Sequence, residues 1–292
     1  MGNLNNEDPV GKVLLPDGFW QEYYGGEFVP QSSLAGEKNM MIREKELDCM
    51  PFGRMENLKE LILHDCNLEN IGYLAKARQL KKLILVRCRL KGEDLAVLAQ
   101  APALKELSLN VMDGGGLMAL AGSRTLISLT LRKVEGIKLE EIGNFARLQE
   151  LRLEEMGVYD GRFLGKLENL KSLDLYWHVM ENLDFLPALT KLTKFHLAKK
   201  AADEKGLSAV PKLVKLKEFI YPVVDLKIYG NHPHLEKIGM APDVVQDFGI
   251  FLGSRINSFM ICGNMPDSEM QLIKDKMEQY VKIYSYGRES AG

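Results

Sequence analysis

Apolar residues along this chain keep a fixed phase. The segments LKELILHDCNL (58–68), LKKLILVRCRL (80–90), LKELSLNVM (104–112), LISLTLRKV (126–134), LQELRLEEM (148–156), LKSLDLYWH (170–178) and LTKFHLAKK (192–200) each carry apolar residues at their first, fourth and sixth positions. Their starts are 22, 24, 22, 22, 22 and 22 residues apart, a register that chance spacing does not hold over such a length. From the third repeat to the seventh, the residue between positions four and six is polar, whereas in the first two it is Ile62 and Ile84. Positions three to seven therefore predict a short strand with those two side chains on the buried face. The phase continues with more wear in LKEFIYPVV (216–224), LEKIGMAPD (235–243) and INSFMICGN (256–264), at spacings of 24, 19 and 21. Upstream, GEKNMMIRE (36–44) puts Met40 and Ile42 one period before Leu61 and Leu63. Pro222 has no amide hydrogen to give to a strand ladder and stands beside the shortest spacing, so an interruption or bulge is expected near 219–223.

Between strands the chain returns with further inward apolar residues, such as Leu68, Ile71 and Leu74, or Leu95, Val97 and Leu98. The returns at 92–102 and 139–147 have room for a turn or two of α-helix. The ends need caps, because a stack of repeats exposes its core there. In KVLLPDGFWQEYYGGEFVP (12–30), aromatic runs flank Asp17-Gly18 and Gly25-Gly26, which are turn signals, so a short hairpin with Trp20 buried is expected. At the other end, residues 270, 273 and 277 are apolar at helical spacing, and VKIYSYG (281–287) reads as a last strand. The expected organisation is one continuous domain: an N-terminal cap at 1–35, repeats at 36–266 and a C-terminal cap at 267–292.

The motif L-x-x-L-x-L-x-x-N/C-x-L, with Cys66 and Cys88 at its ninth position, resembles that of leucine-rich repeat proteins. The period near 22 is similar to the short-repeat class of bacterial internalins and of a eukaryotic phosphatase regulatory subunit. This resemblance covers roughly 36–279. It implies an α/β solenoid, with a curved parallel sheet on the concave side and short helices or 3₁₀ turns on the convex side.

In that fold, positions three, five, seven and eight project from the concave side or its rim. Position five runs Ile62, Ile84, Ser108, Thr130, Arg152, Asp174, His196 and Ile220. Position seven runs His64, Val86, Asn110, Arg132, Glu154, Tyr176, Ala198 and Pro222, and position eight brings Trp177 and Lys199. Interface hot spots are enriched in Trp, Tyr and Arg. The candidate protein-binding residues are therefore Tyr176 and Trp177 with Arg132, Arg152, Asp174, His196 and Lys199 around them, plus an apolar patch of Ile62, Ile84 and Val86.

Composition narrows the chemistry. With 46% hydrophobic and 27% charged residues the chain can pack a core, and its net charge of −2 lacks the basic excess of a dedicated nucleic-acid binder. No apolar run reaches the roughly 20 residues of a membrane span, and the start MGNLNNEDPV has no signal-peptide pattern. Asn6 stands where a myristoylated Gly2 wants Ser or Thr. Four scattered cysteines without a CxxC pair fit a reducing cytoplasm with free thiols, although adjacent Cys66 and Cys88 lie within disulfide reach. Gly114-Gly115-Gly116 lacks the Lys-Ser/Thr of a phosphate loop and reads as a turn. His232 and His234 are too few for a metal site, and no catalytic triad or carboxylate pair stands out.

The expected function is a non-catalytic protein-recognition scaffold, monomeric when unbound, without cofactor, nucleic-acid or membrane partner. Family analogy adds a bacterial cytoplasmic binder or inhibitor. The alternatives are a recognition or adaptor subunit of a larger effector or ubiquitin-ligase-type assembly, and an enzyme or nucleic-acid binder with a concave site.

Overall fold

The computed structural model describes residues 7–8, 12–91, 95–111, 113–176, 179–197, 199, 201–223, 225–229, 232–241, 254–262, 268, 271, 275 and 282–286. They fall into two compact units, Met1–Glu141 and Ile142–Gly292.

In the first unit, five strands pair in parallel: Asn39–Arg43, Glu60–His64, Lys82–Leu90, Glu106–Val111 and Ser128–Arg132. The register is the one the repeat requires, with Met40, Leu61, Leu83, Leu107 and Leu129 side by side and Ile42, Leu63, Leu85, Leu109 and Leu131 in the next row. One register shift occurs, between Val86 and Cys88. In the second unit Glu150–Glu154, Ser172–Tyr176, Lys194–Leu197, Glu218–Ile220, Lys237–Met240, Ser258–Cys262 and Lys282–Tyr286 pair in the same way. The twelve leucines at positions four and six from Leu61 to Leu175 are all buried.

Among the described residues the returns carry 3₁₀ turns, including Ile71–Lys76, Leu95–Gln100, Leu117–Gly122 and Leu139–Asn144, some preceded by a short parallel strand such as Glu46–Asp48 or Asn67–Glu69. The described residues of 92–102 and 139–147, which had room for a turn or two of α-helix, wind as 3₁₀ at Leu95–Gln100 and Leu139–Asn144 instead. A 3₁₀ helix eclipses residues three apart, so Ile71 and Leu74, Leu95 and Leu98, and Leu117 and Leu120 point inward together. Such a narrow element fits a repeat only about 4.8 Å thick. Val97 is only half-buried. Gly116, the last of the three glycines, takes a left-handed φ of 75° to start its 3₁₀ turn.

Position eight is where the strand bends, ending it in most repeats but not in Lys82–Leu90, which continues past Arg87. Glu44, Asp65, Arg87, Lys133 and Glu155 all have φ between 50° and 57°, in the left-handed region. The bend turns each amide toward the next strand: Glu44 N–H donates to His64 O at 2.9 Å, Asp65 to Val86 O at 2.8 Å, and Glu155 to Tyr176 O at 3.0 Å.

At the N-terminus, Lys12–Leu14 and Phe28–Pro30 pair antiparallel, with Glu7–Asp8 on the outer edge. A helix, Phe19–Tyr24, joins the two inner strands instead of a tight turn. The glycines read as turn signals are its ends, Gly18 at φ 80° and Gly25 at φ 73°. This lets Trp20, 1% exposed, reach the first repeat, where its indole N–H donates to Asp48 O at 2.6 Å and its ring meets Phe52 at 5.1 Å.

The irregular place in the repeats is a shortening. The strand Glu218–Ile220 stops two residues before Pro222, paired over three residues with Lys194–Leu197 and over two with Lys237–Met240. Pairing is regular up to Ile220, so there is no bulge there. Close approach replaces ladder length: a Cβ on Gly239 would stand 2.6 Å from Tyr221 N and 3.0 Å from Ile220 Cα. The buried Tyr229 hydroxyl donates to Gly239 O at 2.7 Å. Gly239→Ala is therefore expected to destabilise the chain by about 1–3 kcal/mol, the range for overpacking a closed core. Urea unfolding monitored by far-UV circular dichroism measures it, and an unchanged midpoint would show that this contact is not tight.

Candidate protein-binding face

The sheet face opposite the 3₁₀ turns carries positions three, five and seven. In the first unit, Met41, Ile62, Ile84, Ser108 and Thr130 form one row in register. Ile62, Ile84 and Val86 are half-buried, and Met41, which the sequence reading passed over, is 56% exposed. This apolar row has a charged edge. Arg87 donates twice to Asp65, at 2.6 and 2.7 Å, and His64 Nδ1 lies 2.6 Å from Asp65 Oδ2. The Arg87 hydrogen bonds hold the Asp65 carboxyl down at about 2. Arg132 is exposed on the last strand of this unit.

In the second unit the row Arg152, Asp174, His196, Ile220 lies in register, flanked by Glu154 and Tyr176 on one side and Ser172, Lys194, Glu218 and Lys237 on the other. Position five should face solvent, yet Asp174 and His196 are each only 8% exposed. Long neighbours fold over them. Tyr176 Oη lies 3.2 Å from His196 Nδ1, and the Arg152 guanidinium sits 4.7 Å from the centre of the Tyr176 ring while pairing with the buried Glu154.

His196 stands between two carboxylates. Its Nδ1 is 3.0 Å from Asp174 Oδ1 and its Nε2 is 2.7 Å from Glu218 Oε1. Each carboxylate also has a lysine: Lys194 Nζ is 3.1 Å from Asp174 Oδ1, and Lys237 Nζ is 3.0 Å from Glu218 Oε1. The Asp174 Oδ1 contacts are ion-pair distances without hydrogen-bond alignment; the aligned donors, Lys194 and Ser172 Oγ, reach Oδ2 at 3.3 and 3.4 Å. Burial pushes both carboxyls up. For Asp174 the nearby His196 and Lys194 more than reverse this, leaving it below its ordinary value. For Glu218, His196 and Lys237 bring it down to about 2.

The arrangement is a braced polar chain, with both imidazole nitrogens facing carboxylates. That geometry is unlike a chelate, and among the described residues no group of three His, Cys, Asp or Glu is placed to hold a metal ion. Of the other histidines, His232 is buried and structural: its Nδ1 accepts from the His234 and Leu235 amides at 3.3 and 3.2 Å. The four cysteines are buried and form no disulfide, with Cys66 Sγ 3.4 Å from His64 O and Cys88 Sγ 3.3 Å from Leu63 O.

Of the residues expected from the sequence, Arg152, Asp174, Tyr176 and His196 thus come together, and Ile62, Ile84 and Val86 come together in the other unit. Lys199 is exposed past the end of its strand. Trp177 lies outside the described residues. Glu218, Lys194, Lys237 and Glu154 were missed. The polar row at position three, with the charges Glu150, Lys194, Glu218 and Lys237 and Ser172 among them, was the available signal.

With this geometry the repeats of each unit have the leucine-rich-repeat solenoid fold: parallel strands alternating with short 3₁₀ turns. No family model matches the sequence, and no curated protein matches it. Solved structures do. An internalin, InlF, from Listeria monocytogenes superposes with a TM-score of 0.55 at 15% identity, covering 92% of this chain and 88% of that one. A leucine-rich-repeat protein of Leptospira interrogans gives 0.51 at 16% identity over 89% and 80% of the two chains. Internalin C2 of Listeria monocytogenes gives 0.50 at 18% identity over 75% and 88%.

The cluster makes a pH prediction. The Glu218 pKa is depressed, so its contribution is fully present above its unfolded value of roughly 4.5 and is lost as pH falls through about 2. Glu218→Gln should lower stability at pH 7 by about 1–3 kcal/mol, a figure reduced for solvent screening of a partly exposed pair. The difference from wild type should shrink as pH falls below about 4.5, the window set by that depressed carboxyl. Urea midpoints at pH 7 and pH 3 measure both; a difference independent of pH would show that the charge of Glu218 contributes nothing.

Proposed function

We propose that this chain is a non-catalytic scaffold that binds a protein partner on the exposed face of its repeat strands. The observation that carries this reading is the bracing of the second unit's face. Arg152, Tyr176 and His196 are held by a chain of contacts before any partner arrives, so little side-chain entropy remains to be lost on binding. The mixed charges favour a protein over a nucleic acid. Arg152, Lys194 and Lys237 each face a carboxylate, whereas a phosphate backbone needs unneutralised cations. The leucine-rich-repeat fold supports recognition only in general terms, and it leaves the partner open.

The test is to recover partners of the full chain by affinity capture and mass spectrometry, then measure the purified partner's affinity for variants. Trp177→Ala and Tyr176→Ala are each expected to weaken binding by roughly thirtyfold, the scale of a 2 kcal/mol hot spot. Trp177→Ala should leave the unfolding midpoint nearly unchanged. A loss of several kcal/mol of stability would instead make that ring core. If Tyr176→Ala, Trp177→Ala and Ile62→Asp all bind as wild type does, the strand face is not the binding surface and the reading fails.

A further inference from the structure

Charge is segregated along this chain. Residues 1–37 hold six carboxylates, Glu7, Asp8, Asp17, Glu22, Glu27 and Glu37, against one lysine, Lys12. The remaining residues carry 34 acidic and 37 basic side chains, a slight positive excess. The overall net charge of −2 therefore conceals a strongly acidic N-terminal cap.

The same cap shows aromatic rings to solvent. The helix Phe19–Tyr24 turns Trp20 inward and leaves Tyr23 51% exposed, with Phe19 and Tyr24 half-buried beside it. Their rings touch: Phe19 and Tyr23 are 5.5 Å apart, and Tyr23 and Tyr24 are 4.9 Å apart edge to face. The strand that follows adds Phe28, 45% exposed. Glu37 lies against the same group, accepting from the Tyr24 hydroxyl at 3.4 Å. Burial, and then the Glu37 carboxylate, raise both the Tyr23 and Tyr24 phenols above their ordinary value, so the field of Glu37 reaches both rings.

Elsewhere the chain supplies its own cation to a tyrosine face, Lys76 over Tyr73 and Arg152 over Tyr176. The cap sequence from 13 to 37 contains no lysine or arginine to do so. An aromatic face attracts a cation through its quadrupole, and a rim of carboxylates adds a negative potential that raises the local concentration of cations. An apolar occupant would have to desolvate carboxylates such as Glu37 at this surface, and an acidic one would be repelled by them.

We propose that this N-terminal face is a second docking surface, for a lysine- or arginine-bearing segment of a protein, with the cation over Tyr23 and paired by Glu37. It uses none of the residues of the strand face, so each reading stands or falls alone.

The probe is a fluorescein-labelled peptide of alternating arginine and glycine, titrated by anisotropy against the full chain at about 50 mM salt, where screening is modest. Saturable binding is expected, and a glutamate–glycine peptide should not bind. Tyr23→Ala changes no charge and should weaken binding about threefold to fivefold, the scale of one exposed cation–π contact. Glu37→Gln should do the same. Should Tyr23→Ala fold poorly by circular dichroism, Tyr23→Leu removes the ring while keeping bulk and gives the same reading. Absence of saturable binding overturns the proposal. So does equal affinity for wild type and Tyr23→Ala, which would leave only undirected attraction to an acidic surface. Sedimentation showing self-association that Tyr23→Ala abolishes would make the occupant a second copy of this chain, and the proposal would again fail.

Discussion

No repeat of this chain can bury its own leucines, and most of the structure follows from that. A strand with a return behind it is a slab about 4.8 Å thick, so each inward Leu at positions four and six is covered mainly by the equivalent residues on either side. Strict parallel register is then compulsory, because a shift of one residue would turn both leucines outward. The return must be equally thin. That is why 139–147 winds as 3₁₀ and sets Ile142 and Phe145, three apart, on the core side. The first repeat has no predecessor, so Trp20 and Leu34 come from the N-terminal helices to cover it.

The same thinness governs how the strand ends. A chain leaving the sheet within one slab must bend sharply, and it bends at position eight in the left-handed region. For residues such as Glu44, Lys133 and Glu155 that conformation costs about 1–2 kcal/mol each. What offsets the cost is visible at the bend, where the freed amide bonds the last carbonyl of the neighbouring strand, as from Glu44 to His64 and from Glu155 to Tyr176. Steric strain is thereby exchanged for a tie between repeats.

Much of the fold was legible in the sequence because it depends on one period. Leu61 to Leu175 are inward for the same reason six times over, and a spacing of 22 exposes that reason directly. The left-handed bend was not legible, since Glu, Asp, Arg and Lys stand where glycine would have announced it; the bend is imposed by the next strand's carbonyl. The shortened ladder at Pro222 was legible from proline chemistry, but its form was not. Gly239 gave no sign that it admits the Tyr221 backbone. Of the candidate site, the in-register row was readable and its burial was not. Asp174 and His196 become covered through diagonal contacts to Tyr176, Lys194 and Glu218 in other columns, and reading each column alone treats them as exposed.

Those diagonal contacts explain what a polar cluster does on a surface that could have been apolar. An ion-paired chain adds little stability, because taking its charges partly out of water costs nearly what their attraction returns. Its effect is on geometry. Arg152, Lys194 and Lys237 face Glu154, Asp174 and Glu218 one for one, so apart from His196 the cluster carries no net charge to attract partners at long range. What remains is a fixed pattern of donors and acceptors around the Tyr176 ring. A partner that matches the pattern finds its groups already placed. One that does not must break paired charges in a half-buried setting, which costs more than the mismatch alone. The apolar row of Met41, Ile62 and Ile84 in the other unit has no such discrimination, since apolar contact is indifferent to direction. In the reading proposed above, an apolar row is suited to affinity and a braced polar chain to selectivity, each on its own unit.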